Sequence, residues 1–282
     1  MHHDAIEVCA NTVKGVKILE TIRFEVQEGV GTLTLNRPTR KNAIDPVMRE
    51  ELKEVVFSLS QQRDLRALIM TGAGGTFCAG GDISVMGAGT LSPEEGRHRM
   101  RHDYLSWIEA LLRLEIPVIA AVEGPAYGAG FSLALTADIV LADSTSRFCM
   151  SFMRLGLVPD CAAFFTLPRI VGTQRAKELA FSARELNAEQ AHALGIVLEV
   201  VPQGRVLERA QQMARCFALA APAALAMTKR AMNVSMNSSL DAMMDIEADA
   251  QAVARTSQWH VDAVQRFLNK KSSAFQWPAG LD

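Results

Sequence analysis

Residues 123–143 read EGPAYGAGFSLALTADIVLAD. GPAYGAG is a glycine-rich turn, FSLALTA has helical character, and DIVLAD reads as a strand. The stretch just before it, IPVIAAVEG, is a continuous apolar run of the kind that forms a strand buried on both faces. A second unit of the same kind lies upstream. There RALIMTG reads as a buried strand and runs into AGGTFCAGGDIS, another glycine-rich turn. Two glycine-rich turns, each following a buried strand, predict an α/β fold built on repeated strand–turn–helix units.

The flanking segments extend this pattern. TIRFEV and GVGTLTLN alternate as strands and read as a hairpin. NRPTRKNAID is a polar loop ending in Asp45-Pro46, an N-cap followed by proline at the first helical position. The helix it opens is expected to run to about Gln62, with Val47, Leu52, Val55, Val56 and Leu59 as its apolar stripe. SPEEGRHRMRHDYLSWIEALLRL is expected as one long helix opened by Ser92-Pro93. Beyond Gly172, helices are expected over 173–182, 188–194, 203–219, 222–234, 239–255 and 257–270, with IVLEVV as a strand. The chain divides into a lead-in (1–20), a strand/helix core (21–202) and a helical C-terminal region (203–282).

The 282 residues are 49% hydrophobic and 21% charged, with a formal net charge of −2. That balance gives no electrostatic reason to expect nucleic acid or an anionic membrane as partner. No apolar run reaches the roughly 18 residues of a membrane-spanning helix. The N-terminus lacks a signal-peptide core, and the five cysteines are scattered without a CxxC pair. Reduced thiols in a cytoplasmic protein are the expectation.

Neither glycine-rich turn is a phosphate loop. GAGGTFCAGGD contains no GxxxxGK[ST], and no ribose-binding acid follows at the expected distance. The plain reading of each is a tight turn. A sharper one is that glycine lets backbone N–H groups point outward unobstructed, and that two from different turns converge on one oxygen. Ala129, at a helix start, is one candidate donor.

FCAGGDIS, followed by EGPAYGAGFSLALTADIVLAD and then by RFCMSFMRLGLVPDCAAFFTLPRIVG, resembles the crotonase superfamily, the enoyl-CoA hydratase/isomerase proteins. The order and spacing match over about residues 21–270, and NRPTRKNAID matches the family's first loop. The resemblance implies a spiral of ββα turns with a helical C-terminal region that builds homotrimers or dimers of trimers. It implies an acyl-CoA thioester as substrate, with coenzyme A part of that substrate and no separate cofactor or metal. Gly81 and Ala129 become the oxyanion donors. Backbone atoms of Ala79, Asp82 and Ile83 become the adenine pocket. Arg40, Lys41, and Lys270 or Lys271 of a neighbouring subunit become candidates for the CoA phosphates, although each alone reads first as a solvated surface charge.

The sequence departs from the hydratase pattern at both water-handling acids. The glutamate of the GGGxE pattern is Ser132 here, in GAGFS, and the second glutamate position is Phe152. Hydration needs one group to activate water and another to move a proton at the α-carbon. Serine is a poor base at neutral pH, and phenylalanine is none. What remains is Asp160, a carboxylate among Leu157, Val158, Phe164 and Phe165. In the family's double-bond isomerases an acid occupies this position. One carboxylate suffices to take a proton from the α-carbon and return it at the γ-carbon. Apolar neighbours would raise its pKa and exclude water. The plainer reading of Asp160 is an N-cap for a helix beginning there.

The expectation is therefore an enoyl-CoA isomerase, with Asp160, Gly81 and Ala129 as its catalytic set. The alternatives are a hydratase or another thioester-enolate reaction, and a catalytically silent acyl-CoA-binding subunit. His98 and His102 have metal-compatible spacing but no third ligand and read as surface residues. Met86, Tyr104 and Trp107 are candidates for the acyl-pocket wall. Cys161 reads as a buried thiol rather than a nucleophile. Asp138 and Asp143 read as turn residues, and the methionines at 227, 232, 236, 243 and 244 as core or trimer packing.

Overall fold

The computed structural model describes residues 12–13, 16–86 and 91–280. Within it, Glu28 and Gly29 both take positive φ, 51° and 78°. That is the two-residue turn whose twist matches a hairpin. It joins β3 (Ile22–Gln27) to β4 (Val30–Leu35) in antiparallel register, as the alternation predicts. Two strands precede the hairpin, β1 (Thr12–Val13) and β2 (Val16–Ile18), and β2 pairs with β3. Part of the expected lead-in is thus sheet; its residues 1–11 and 14–15 lie outside the described residues.

Helix α1 (Pro46–Leu59) opens as expected, with the Asp45 carboxylate accepting from the Met48 N–H at 2.8 Å. Its buried stripe is Met48, Leu52, Val55, Val56 and Leu59. Val47, expected in that stripe, is 41% exposed, because the apolar face starts one residue later. Then come β5 (Ala67–Gly72), the short α2 (Ile83–Met86), α3 (Pro93–Arg99) and α4 (Leu105–Leu112). Ser92 and Glu95 form a reciprocal capping box on α3. The single long helix expected here is interrupted by a π-turn at Met100–Tyr104, where the extra residue re-phases the apolar face of α4.

The elements that follow are β6 (Val118–Val122), β7 (Pro125–Tyr127), α5 (Ala129–Ala134), β8 (Ile139–Asp143), β9 (Arg147–Cys149), α6 (Ala163–Val171), α7 (Thr173–Ser182), β10 (Glu185–Asn187), α8 (Ala188–Ala193) and β11 (Glu199–Val201). One eight-stranded sheet runs β1-β2-β3-β4-β5-β6-β8-β11, parallel from β4 onward. Its central strands are buried on both faces with a period of two. Leu68, Met70, Val118, Ala120 and Val122 face the larger core beneath α1 and α4. Ala67, Ile69, Ile119 and Ala121 face α9 (Val206–Ala218), which closes the other side with Ala210, Met213 and Phe217. A small sheet, β10-β9-β7, stands apart. Three-residue strands such as β9 and β10 leave too little alternation to read from sequence.

The helical C-terminal region comprises α10 (Pro222–Ser235), α11 (Leu240–Arg255) and α12 (Gln258–Leu268). None of these helices buries a residue within the chain. Met232, Met236, Leu240, Met244 and Phe267 are more than half exposed. Packing in this chain's own core therefore does not explain these exposed methionines. No helix among the described residues is long and apolar enough to cross a membrane.

Candidate functional site

The two glycine-rich turns run side by side. Cys78 and Ala126 form a parallel bridge, with the Cys78 N–H donating to the Pro125 carbonyl at 3.0 Å and the Tyr127 N–H to the Cys78 carbonyl at 2.9 Å. A second parallel bridge joins Gly81 to Ile44. It uses the Gly80 carbonyl, which accepts from the Ile44 N–H, and the Asp82 N–H, which donates to the Ile44 carbonyl. The N–H of Gly81 itself therefore points away from the 36–45 loop, and among the described residues it has no acceptor. Ala129 is the first residue of α5, so its N–H has no acceptor within the helix.

Glycine is required where these turns meet. At Gly80 φ is 98°, and a Cβ there would lie 2.8 Å from the Tyr127 carbonyl oxygen and 3.5 Å from the Ala129 nitrogen. The Gly81 and Ala129 donors thus belong to segments in direct contact, as an oxyanion hole needs.

Buried polar groups hold the first turn in place. Arg37 Nη1 donates to the Ala43 carbonyl at 2.6 Å and lies 3.2 Å from Asp82 Oδ2, while its Nη2 is 3.1 Å from Asp45 Oδ2. Asn42, fully buried with φ of 54°, donates to the Ala73 and Thr76 carbonyls at 2.9 and 2.6 Å. These two residues lie inside NRPTRKNAID, whose polar composition reads as loop; only the folded contacts reveal that it braces the donor turn.

Asp160 does not cap a helix. Helix α6 starts at Ala163, its N-cap is Ala162, and no side chain satisfies the cap. The Asp160 main-chain carbonyl accepts from the Ala163 N–H at 3.0 Å. Its side-chain Oδ1 is enclosed and has no hydrogen-bond partner. Burial pushes the carboxyl up from its ordinary range, against a smaller downward pull from the neighbouring Cys161 thiol. The expected surroundings need correction, however. Leu157, Val158, Phe164 and Phe165 are 40% exposed or more. The residue that follows it, Cys161, is 1% exposed.

The two replaced acid positions are closed. Ser132 is fully buried, and its hydroxyl donates back to the Gly128 carbonyl at 3.2 Å. Phe152 is a core residue whose ring edge would lie 3.9 Å from a Cβ on Gly128. Neither holds a place for an activated water. Of the acyl-wall candidates, Trp107 is fully buried in the main core, with Nε1 donating to the Asp103 carbonyl at 3.1 Å, so it lines no open pocket. Tyr104 is half-buried beneath Arg49. The side chain of Met86 lies outside the described residues. His98 and His102 stack at 4.3 Å between ring centroids, and no group of three metal-binding side chains exists among the described residues. Asp138 and Asp143 tie distant segments together rather than only closing turns: Asp138 accepts from the Val118 N–H and from Lys229 Nζ of α10 at 2.7 Å, and Asp143 from Thr145, Ser146 and Gly204.

The candidate CoA residues are scattered. Arg40 and Lys41 are exposed at the left-handed end of the 36–45 loop, next to the donor turn. The N–H groups of Ala79 and Asp82 are already committed to the Lys41 and Ile44 carbonyls. An adenine at that edge would have to use carbonyl oxygens or the exposed Ile83 backbone. Lys270 and Lys271 are exposed beyond α12, and Lys271 lines a cleft of about 900 Å³ between α10, α11 and α12. Among the described residues no hydrogen bond or ion pair links them to Asp160.

The family model described as enoyl-CoA hydratase/isomerase matches residues 25–278. The chain is 39% identical over 260 residues to the 1,2-epoxyphenylacetyl-CoA isomerase of Escherichia coli K12, covering 92% of this chain and 99% of that protein. It is 35% identical to a Rhodobacter capsulatus protein named "Probable enoyl-CoA hydratase", covering 90% and 97%. A crystal structure of an enoyl-CoA hydratase/isomerase from Cupriavidus metallidurans CH34 superimposes with a TM-score of 0.88 at 42% identity, covering 94% of this chain and all of that one.

Proposed function

This chain belongs to the enoyl-CoA hydratase/isomerase family, and from that premise we propose that it shifts the C=C bond of an enoyl-CoA. The observation that carries the reading is the enclosed, unpartnered Oδ1 of Asp160, in a chain whose two hydratase acid positions are Ser132 and Phe152. In this mechanism Asp160 removes a proton from C2 of a 3-enoyl thioester. The N–H groups of Gly81 and Ala129 hold the dienolate oxygen. Asp160 then returns the proton at C4, and the product is the 2-enoyl thioester. The sum of atoms and charge is unchanged, so no redox partner is consumed. A carboxyl raised by burial is a stronger base than an ordinary one and holds the abstracted proton until it is returned.

Arg40, Lys41 and Lys270 are proposed to meet the CoA phosphates, with Ala79, Asp82 and Ile83 at the adenine. Lys270 would have to come from a second copy of the chain. The exposed apolar side chains of α10–α12 support a homotrimer or a dimer of trimers. The relative named as a 1,2-epoxyphenylacetyl-CoA isomerase favours a second reading, in which the thioester carries a ring-derived acyl group.

The test is product identity. The purified protein is incubated with 3-enoyl-CoA thioesters of several chain lengths and with 1,2-epoxyphenylacetyl-CoA, and products are read by mass and absorbance. Isomerisation without gain of water mass supports the proposal. A gain of water mass makes the protein a hydratase. Binding without turnover makes it a silent subunit.

A further inference from the structure

Tyr127, Cys149 and Glu185 form one row across the small sheet. Tyr127 pairs with Cys149 in the β7–β9 register, and Glu185 pairs with Cys149 in the β9–β10 register. Residues directly opposite one another present their side chains on the same face. The middle residue of the row is small and 1% exposed, and the Tyr127 hydroxyl reaches past it to donate to Glu185 Oε2. Arg147 Nε lies 3.7 Å from the other oxygen of Glu185. Burial, and then the hydrogen bond to Glu185, push the Tyr127 phenol up to about 12, so it remains a donor at neutral pH. Tyr127 leads into the second donor turn, where the Gly128 N–H donates to the Cys149 carbonyl at 2.9 Å and Ala129 follows.

A second tie ends at the same place. Ala183 closes α7 in the left-handed region, with φ of 46°, uncommon for a residue with a Cβ. Its carbonyl accepts twice, from Cys149 Sγ at 3.1 Å and from Arg154 Nη2 at 2.6 Å. Arg154 belongs to the 3-10 helical turn Ser151–Leu155, which leads to Asp160. The Leu157 N–H donates back to the Phe152 carbonyl at 3.1 Å, so the approach to Asp160 is fixed to that turn. Residues 183–185 thus hold the segment that carries Ala129 and the segment that carries Asp160, and they lie outside every motif that singled out those two residues.

We propose that the 183–185 junction sets the spacing between the Ala129 donor and the Asp160 carboxylate, with Tyr127 and Arg154 as its positioning residues. This rests on the reading of Ala129 as an oxyanion donor and of Asp160 as the proton shuttle. In that reaction one carboxylate serves both C2 and C4 while the thioester oxygen stays on its donors. A small change in their spacing therefore acts on turnover more than on binding. Neither tie consists of groups that touch the thioester in this reading, so their loss leaves the binding surface in place.

The full-length protein is compared with Tyr127→Phe, Arg154→Met, the double variant, and Glu185→Gln, which keeps an oxygen to accept from Tyr127. Two readouts are taken well below the melting temperatures. One is kcat and KM for 3-enoyl-CoA isomerisation. The other is backbone hydrogen exchange at residues 127–131 and 151–157, which needs no substrate. Tyr127→Phe and Arg154→Met are each expected to lower kcat about 10-fold or more, the scale of a small displacement remote from the chemistry, with KM unchanged. Each should also speed exchange in its own segment, 127–131 for the first and 151–157 for the second. The double variant is expected to lose no more than the worse single one, since either release frees the spacing, and Glu185→Gln to turn over like the wild type. Unchanged kcat in both single variants, or a raised KM in place of a lowered kcat, reduces the junction to packing and overturns the proposal. Losses that multiply in the double variant overturn it as well, because the two ties then act independently. Unchanged exchange in both segments overturns it whatever the reaction is. If Asp160→Asn turns over like the wild type, it is the reading of Asp160 that fails, and the proposal falls with it for that separate reason.

Discussion

Gly81 and Ala129 each stand three residues beyond the parallel bridge that pairs Cys78 with Ala126. The bridge sets the two turns in register, and beyond it Gly80 packs against the Tyr127 carbonyl and the Ala129 nitrogen, so the two N–H groups belong to turns in contact. A backbone donor is removed by proline rather than by changing a side chain. Ala129 is the first residue of α5, where proline is tolerated. Ala129→Pro should therefore retain the circular dichroism spectrum and thioester binding while kcat falls about 10²- to 10³-fold, the effect of losing one oxyanion donor. Unchanged turnover would remove Ala129 from the site.

The register also depends on close backbone approach. A Cβ on Gly130 would lie 2.3 Å from the Cys78 carbonyl oxygen and 2.7 Å from its Cβ. Backbone cannot step aside as a flexible side chain can. Gly130→Ala should lower stability by about 1–3 kcal/mol, the range for overpacking, measured by denaturant unfolding. A variant as stable as the wild type would contradict the packing described.

The proposed role of Asp160 carries a consequence for stability. Burial raises its carboxyl above the unfolded value. The favourable contribution of such a group is complete below the ordinary carboxylate pKa and is lost as pH rises through the raised one. At neutral pH the ionised group therefore opposes folding. Asp160→Asn should melt higher than the wild type at about pH 7 to 8, and the gain should shrink as the pH falls toward the ordinary carboxylate pKa of about 4. The same variant should lose about 10²-fold or more in turnover. Equal melting temperatures across that range would show that the carboxylate is solvated.

Arg37 ties Asp45, Asp82 and the Ala43 carbonyl to one guanidinium, with 17% of its side chain exposed. Arg37→Met keeps the aliphatic stem and leaves the partly buried acids unpaired. It should lower stability by about 1.5–3 kcal/mol. It should also depress kcat more than KM, since the Gly81 turn loses its brace while the acyl-binding surface remains.

Arg209 is 2% exposed and holds the C-terminal tail. It pairs with Glu199 at 3.0 Å and donates to the Ala279 carbonyl at 2.5 Å, while Trp277 meets Phe217 edge-on at 5.5 Å. Arg209→Met should free residues 277–280 to rapid hydrogen exchange and cost about 1–3 kcal/mol. Activity should persist, because no site residue depends on the tail. Unchanged exchange in that segment would mean that Trp277 alone anchors it.

The local features of the fold were legible because they are set by neighbours along the chain. The Glu28-Gly29 turn, the Asp45 cap, the two-faced apolar runs of β5 and β6 and the two glycine-rich turns all follow from short-range pattern. The motif order carried the family and singled out Gly81, Ala129 and Asp160. The sequence could not show what each side chain faces. Asp160 sits next to Pro159 and before an apolar run, which is also the pattern of a helix cap. Only the folded chain shows that α6 begins at Ala163 and that Oδ1 has no partner. Leu157 and Phe164, its neighbours in sequence, are exposed, while Cys161 next to it is buried. Likewise Trp107 has the composition of a pocket wall and belongs to the core. Burial is a property of all the segments that converge on a point, and for a single carboxylate it separates a helix cap from an oxygen left without a partner.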